Sequence, residues 1–145
     1  MYKRILIPTD GSTASERAAS AGIALAKALH AAVVGMTVTP RFHVLALAPA
    51  QLNVTEQAFD AANREHAQRL LRTIGEAADA QGVSCICDHV VADQPFQAII
   101  DTARERQCDL VNMASHGRTG LSGLLLGSQT QKVLVHSAIP VLVHR

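Results

Sequence analysis

The sequence predicts an α/β fold: a three-layer α/β/α sandwich around a five-stranded parallel sheet, with about four helices. Three observations carry this expectation. Five short apolar runs, at residues 4–9, 32–38, 83–91, 110–114 and 140–144, have the length and continuity of strands buried on both faces. The stretches between them carry apolar residues at helical spacing. The two types alternate strictly as βαβαβαβαβ, the pattern of crossover connections over both faces of a parallel sheet. No repeat, linker or low-complexity tract divides the 145 residues, which suffice for one buried core, so a single domain over residues 1–145 is expected.

Each element has its own signal. The run at 4–9 stops at Asp10-Gly11, a turn behind a strand. Thr13-Ala14-Ser15-Glu16 matches a capping box, and Ala18, Ala21, Gly22, Leu25, Ala26 and Leu29 then form one helix face ending near His30. Pro40 stops the second strand. Residues 41–53 show no period, and Phe42, Val44, Leu45 and Leu47 within them suggest a lid or a partner surface. A long helix over 55–81 follows, with the stripe Ala67, Leu70, Leu71, Ile74, Ala77 and Ala78 and with Gly82 as its stop. Pro95 opens a third helix marked by Phe96, Ile99, Ile100 and Ala103. After the fourth strand comes a glycine-rich loop, then a fourth helix over 129–137 and the last strand.

Composition removes several function classes. A net charge of +1 gives no field to attract nucleic acid, and 3% aromatic residues without Trp leave no stacking platform for single strands. No apolar run approaches the ~20 residues of a membrane span, and the apolar stretch behind Lys3-Arg4 is too short for a secretory signal. Three cysteines, an odd number, suit a reducing compartment, so a cytoplasmic protein is expected. Cys85 and Cys87 fall on one face of a strand; they are read as packing, because a closed zinc site needs two further ligands and no second pair exists. Cys108 reads as a small buried residue before a strand. The remaining histidines, His43, His66, His89, His136 and His144, show no metal-ligand spacing, and the H-E-x-x-H signature fails at His66.

The loop Ala114-Ser115-His116-Gly117-Arg118-Thr119-Gly120, continuing to Gly127-Ser128, carries the chemistry. Glycines let backbone approach an anion, and the helix behind them supplies unpaired N–H groups at a positive dipole end. It is neither a Walker A loop nor a dinucleotide fingerprint. Ser128 with Gln131 reads as a capping box. On chemistry alone two readings stand: a phosphate cradle, or a flexible loop before a well-capped helix. In an open parallel sheet ligands bind at the strands' carboxyl ends where the winding reverses. If the first and fourth strands are neighbours there, Asp10 faces the glycine loop.

Ile5-Leu6-Ile7-Pro8-Thr9-Asp10-Gly11-Ser12, the segment 103–113, the loop itself and Ile139-Pro140-Val141-Leu142-Val143 together resemble the universal stress protein family over essentially the whole chain. Nucleotide-binding members carry G-x2-G-x9-G-(S/T). Gly117 stands at the second glycine, nine residues separate it from Gly127, and Ser128 completes the pattern; Ala114 replaces the first glycine. The resemblance implies sheet order 3-2-1-4-5 and a homodimer through the edge strand at 140–144. It places adenine and ribose near Pro8, Thr9, Asp10 and the backbone of Val38. It places the phosphates of ATP on Met113, Ala114, His116, Gly117, Gly127, Ser128, Gln129 and Thr130, with Arg118 as a candidate counter-charge. Mg2+ or Mn2+ would be held mainly by the phosphates, with no dedicated metal ligands.

Single residues keep competing readings. Asp10 can close an Asx turn or meet a ribose hydroxyl or the metal. His116 can donate to phosphate or cover the loop. Asn112, inside a strand that should be buried, is expected to make a structural hydrogen bond or a dimer-side contact. No nucleophile–base pair and no Gly-x-Ser-x-Gly elbow is visible, so slow ATP hydrolysis at most is expected. The expected function is an ATP-binding, dimeric regulatory or stress-response protein; the alternatives are an interaction module without nucleotide and a weak ATPase.

Overall fold

The computed structural model describes residues 1–43, 54–117 and 125–145. The elements run β1 Arg4–Pro8, α1 Thr13–Leu29, β2 Ala32–Thr39, α2 Glu56–Ala80, β3 Cys85–Val91, α3 Pro95–Glu105, β4 Leu110–Ala114, α4 Ser128–His136 and β5 Val141–His144. All pairings are parallel and the order is β3-β2-β1-β4-β5. This is the α/β/α sandwich expected from the alternation.

The period-2 alternation of β1 sorts the core into two layers. Ile5 and Ile7 face α1 and α2, meeting Ile23, Ala26, Ile74 and Ala78. Leu6 faces α3 and α4, meeting Ile99, Ala103 and Val133. Aliphatic and alanine side chains fill both layers, as the low aromatic content requires. Small residues on α1 (Ala18, Ala19, Gly22) let the helix ride close to the sheet.

Three local expectations change. The cap of α1 is Ser12, whose side chain accepts from Ser15 N at 3.2 Å, so the box assigned to Thr13 and Glu16 starts one residue too late. Gly11 at φ +78° turns the chain early enough for Ser12 to take that position, and Ser15 Oγ returns a bond to Ser12 O at 2.9 Å. The cap of α4 is Gly127 with no side-chain bond, so the expected Ser128–Gln131 box does not form; Gln131 Nε2 reaches Leu126 O instead. Third, β3 is an edge strand with much of its surface open, including Ile86, Cys87 and Val91, although its sequence reads as a buried run. The long helix behaves as read. Thr55 caps it, Ala67, Leu71, Ile74 and Ala78 are buried, and Gly82 at φ +70° ends it. Among the described residues no helix is long and apolar enough to cross a membrane.

Of the segment 41–53, Phe42 sits edge-on against Phe59 at 5.4 Å, and His43 pairs with Asp93 at 2.9 Å. Val44, Leu45 and Leu47 lie outside the described residues, as do Arg118, Thr119 and Gly120.

Candidate functional site

The winding reverses between β1 and β4, and the carboxyl ends of β1, β2 and β4 open there into a cavity of about 470 Å³. That volume lies within the range of small-ligand pockets. Pro8, Thr9 and Asp10 reach it from β1 and Val38 from β2. Met113, Ala114, His116 and Gly117 reach it from the end of β4. Gly127, Ser128, Gln129 and Thr130 reach it from the start of α4. Every described residue of the predicted set therefore lines one cavity; Arg118 lies outside the described residues.

Hydrogen bonds show what each side chain is already doing. Thr9 Oγ1 takes Gly11 N at 3.2 Å and meets Ser15 Oγ at 3.0 Å, while Thr9 O accepts from Thr37 Oγ1 at 2.8 Å. Thr9 is thus a rigid turn residue. Asp10 closes the Asx turn, with Oδ1 accepting from Ser12 N at 2.9 Å. Its other oxygen lies against Gly117, where an added Cβ would collide with it. The turn fixes the carboxylate beside the glycine loop, so both readings of Asp10 are geometrically compatible.

On the α4 side, Gly127 N donates to Ser115 O at 2.7 Å and Ser115 N to His144 O at 2.7 Å. Thr130 Oγ1 donates to Ala114 O at 2.9 Å. The helix start is pinned to the end of β4 at two points. Ser115 Oγ stands 3.1 Å from His116 Nδ1. A Ser115 hydroxyl donating there leaves the ring proton on Nε2, a donor suited to an anionic oxygen. The first N–H groups of α4 have no partner within the helix. The side-chain oxygen of Gln129 is spent elsewhere: Oε1 accepts from Phe96 N at 2.9 Å and caps α3. Thr130 can therefore serve an anion only through backbone, whereas Gln129 keeps its side-chain amide N–H groups as donors.

Further lining residues lie outside the predicted set: Ser15, Met36, Thr37, Pro95, Ile99, Leu125 and Leu126. Met36 and Thr37 had a legible signal, since they directly precede Val38. Pro95 and Ile99 come from α3, whose approach to the β1–β4 crevice depends on the three-dimensional crossover. The cavity is mainly apolar. Among its described lining residues Asp10 is the one carboxylate, and none is Lys or Arg.

One expectation beside the site is settled by contacts. Asn112 is fully buried; its Nδ2 donates to Ala18 O at 2.8 Å and its Oδ1 meets His144 Nε2 at 2.7 Å. It is a structural clasp between α1, β4 and β5. His144 is thus turned inward, and the His136 ring lies tilted against Phe96 with centroids 5.5 Å apart.

A profile of the Universal stress protein family matches residues 1–145. The chain belongs to this family. Universal stress protein MJ0531 of Methanocaldococcus jannaschii is 33% identical over 143 residues, covering 99% of this chain and 82% of that protein. Among solved structures, hypothetical protein MJ0577 of the same organism superposes with a TM-score of 0.80 at 28% identity, over 99% of this chain and 95% of that one. A universal stress protein solved in complex with cAMP shares the fold at TM-score 0.70 and 24% identity, over 99% of this chain and 97% of that one. The sheet order and the family assignment agree with the reading of the sequence.

Proposed function

We propose that the cavity binds an adenine nucleotide, ATP with Mg2+ or Mn2+, and that the protein is a cytoplasmic, dimeric regulator rather than an enzyme, hydrolysing ATP slowly at most. The observation that carries this reading is the convergence of Pro8-Thr9-Asp10 and Gly127-Ser128, from opposite ends of the chain, on one cavity at the topological switch point. The cAMP complex of a protein with the same fold supports an adenine ligand. The apolar lining from Met36, Val38 and Ile99 suits a base. The N–H groups at the start of α4, with His116 beside them, suit phosphate oxygens.

Charge argues for the cation. With Asp10 beside the loop and no Lys or Arg among the described lining residues, a bare triphosphate would meet net repulsion, and a divalent ion on the phosphates offsets it. Isothermal titration calorimetry with ATP, with and without Mg2+, tests the reading together with analysis of nucleotide released on denaturation. Tighter binding with Mg2+ is expected. Absence of both heat and copurified nucleotide would leave an interaction module.

Ala114 bears on affinity through its backbone. It pairs with His144 in the β4–β5 ladder, and its carbonyl is held by Thr130. Ala114→Gly is therefore expected to change ATP affinity by less than about threefold, under 1 kcal/mol. A tenfold gain would mean that the methyl obstructs the phosphates.

The dimer reading rests on β5, an edge strand whose Leu142 is 39% exposed. Leu142→Asp is expected to shift sedimentation from dimer toward monomer. An unaltered dimer would place the interface elsewhere.

A further inference from the structure

The edge strand β3 carries two thiols that the nucleotide reading does not use. Cys85 and Cys87 point to the same face, and their Sγ atoms lie 3.9 Å apart. Cys85 is half-buried and Cys87 is exposed, so the pair is open to solutes. Gly35 of β2 lies opposite Cys87 in register, and a Cβ there would sit 3.3 Å from Cys87 Sγ, so the missing side chain makes room for the sulfur. We propose that Cys85 and Cys87 form a two-thiolate chelate for a thiophilic divalent cation of the Zn2+ or Cd2+ class.

Geometry supports this over a disulfide. Two sulfurs about 2.3 Å from a metal stand about 3.8 Å apart at the tetrahedral angle and about 4.0 Å at the trigonal one. The observed 3.9 Å falls between these values and needs no backbone movement. A disulfide would need the sulfurs to close to about 2.05 Å. Residues two apart on a strand have Cα atoms about 6.6 Å apart, near the upper limit for that bond.

Charge nearby favours the same outcome. Asp79 lies within electrostatic reach of both thiols and attracts a cation there, whereas Asp88 is held by Arg106 in a two-point ion pair. Binding releases both thiol protons to solvent as two metal–sulfur bonds form. Water or a small solute thiol completes the coordination, so this is an open site and not a closed structural one.

Cadmium titration of the reduced protein without oxygen tests the proposal, read by the ultraviolet cadmium–thiolate absorption and by native mass spectrometry. One Cd2+ per chain is expected, with the mass of two protons lost. Cys85→Ser and Cys87→Ser should each weaken binding at least about 100-fold, beyond the usual effect of losing an outer-sphere partner. Cys108→Ala, which removes a thiol buried at the start of β4, should retain the ion; thermal unfolding checks that each variant is folded. Two outcomes would overturn the proposal: no thiolate absorption in the wild type, or unchanged affinity in either folded serine variant.

Discussion

Gly127→Glu is expected to lower ATP affinity at least about 100-fold, a loss of about 2.7 kcal/mol, while leaving the protein folded. The backbone at Gly127 has φ −62° and ψ 150°, a conformation any residue adopts, so the substitution introduces no backbone strain. Space is the constraint. A Cβ at this position would sit 3.1 Å from His116 Cα and 3.3 Å from Ser115 O. Both neighbours are backbone, and Ser115 O is already bonded to Gly127 N, so neither can yield easily. The side chain beyond that Cβ enters the cavity at the start of α4 and sets a carboxylate against the phosphates. Like charge then replaces the favourable helix dipole, itself worth about 0.3–1 kcal/mol. Calorimetry measures the affinity and circular dichroism the fold. A folded Gly127→Glu protein with wild-type affinity would remove the phosphates from this end of the cavity.

The backbone plan was legible because its signals are local and periodic. Apolar runs, Pro95, Thr55 and Gly82 each mark an element by its own chemistry, and α2 and α3 follow them within a residue or two. The sheet order was not in the periodicity; it came with the family resemblance. The α1 cap was misplaced because Ser12 and Thr13 are both good caps, and the Gly11 turn decides between them. At α4 the competition runs through space. Ser128 looks like a cap, but tying Gly127 N to Ser115 O sets the entry to the helix one residue earlier. The candidate site was legible as a set of positions, since the motif spacing and the β1 turn both point to it. The division of labour was not. Nothing near Gln129 in sequence announces that its side chain caps a helix beginning at Pro95. Cys85 and Cys87 share a face as strand periodicity requires, yet their exposure follows from β3 lying at the sheet edge.

Asn112→Ala is expected to destabilise the fold by about 2–4 kcal/mol, or to lower Tm by about 10 °C. The side chain is fully buried and bonds both Ala18 O and His144 Nε2, so truncation opens a cavity and strands the half-buried imidazole contact that holds β5. Gly22 makes the argument sharper. It lies inside α1, where Gly→Ala ordinarily stabilises by about 1 kcal/mol through helix propensity. Here the added methyl would meet Asn112 Nδ2 at 2.5 Å and Ile7 Cδ1 at 2.9 Å, and the amide cannot retreat without breaking its two bonds. Gly22→Ala alone is therefore expected to destabilise by about 1–3 kcal/mol. With Asn112→Ala already present the same methyl enters vacated space, and its cost should vanish or turn into a gain. Chemical denaturation of the two single variants and the double variant gives the coupling, expected to exceed about 1 kcal/mol. Additivity within about 0.5 kcal/mol would mean that Gly22 is not fixed by the asparagine. A large coupling would explain why a helix-weakening glycine and a buried amide occur together: the glycine is the space in which the amide clasps α1 to the edge of the sheet.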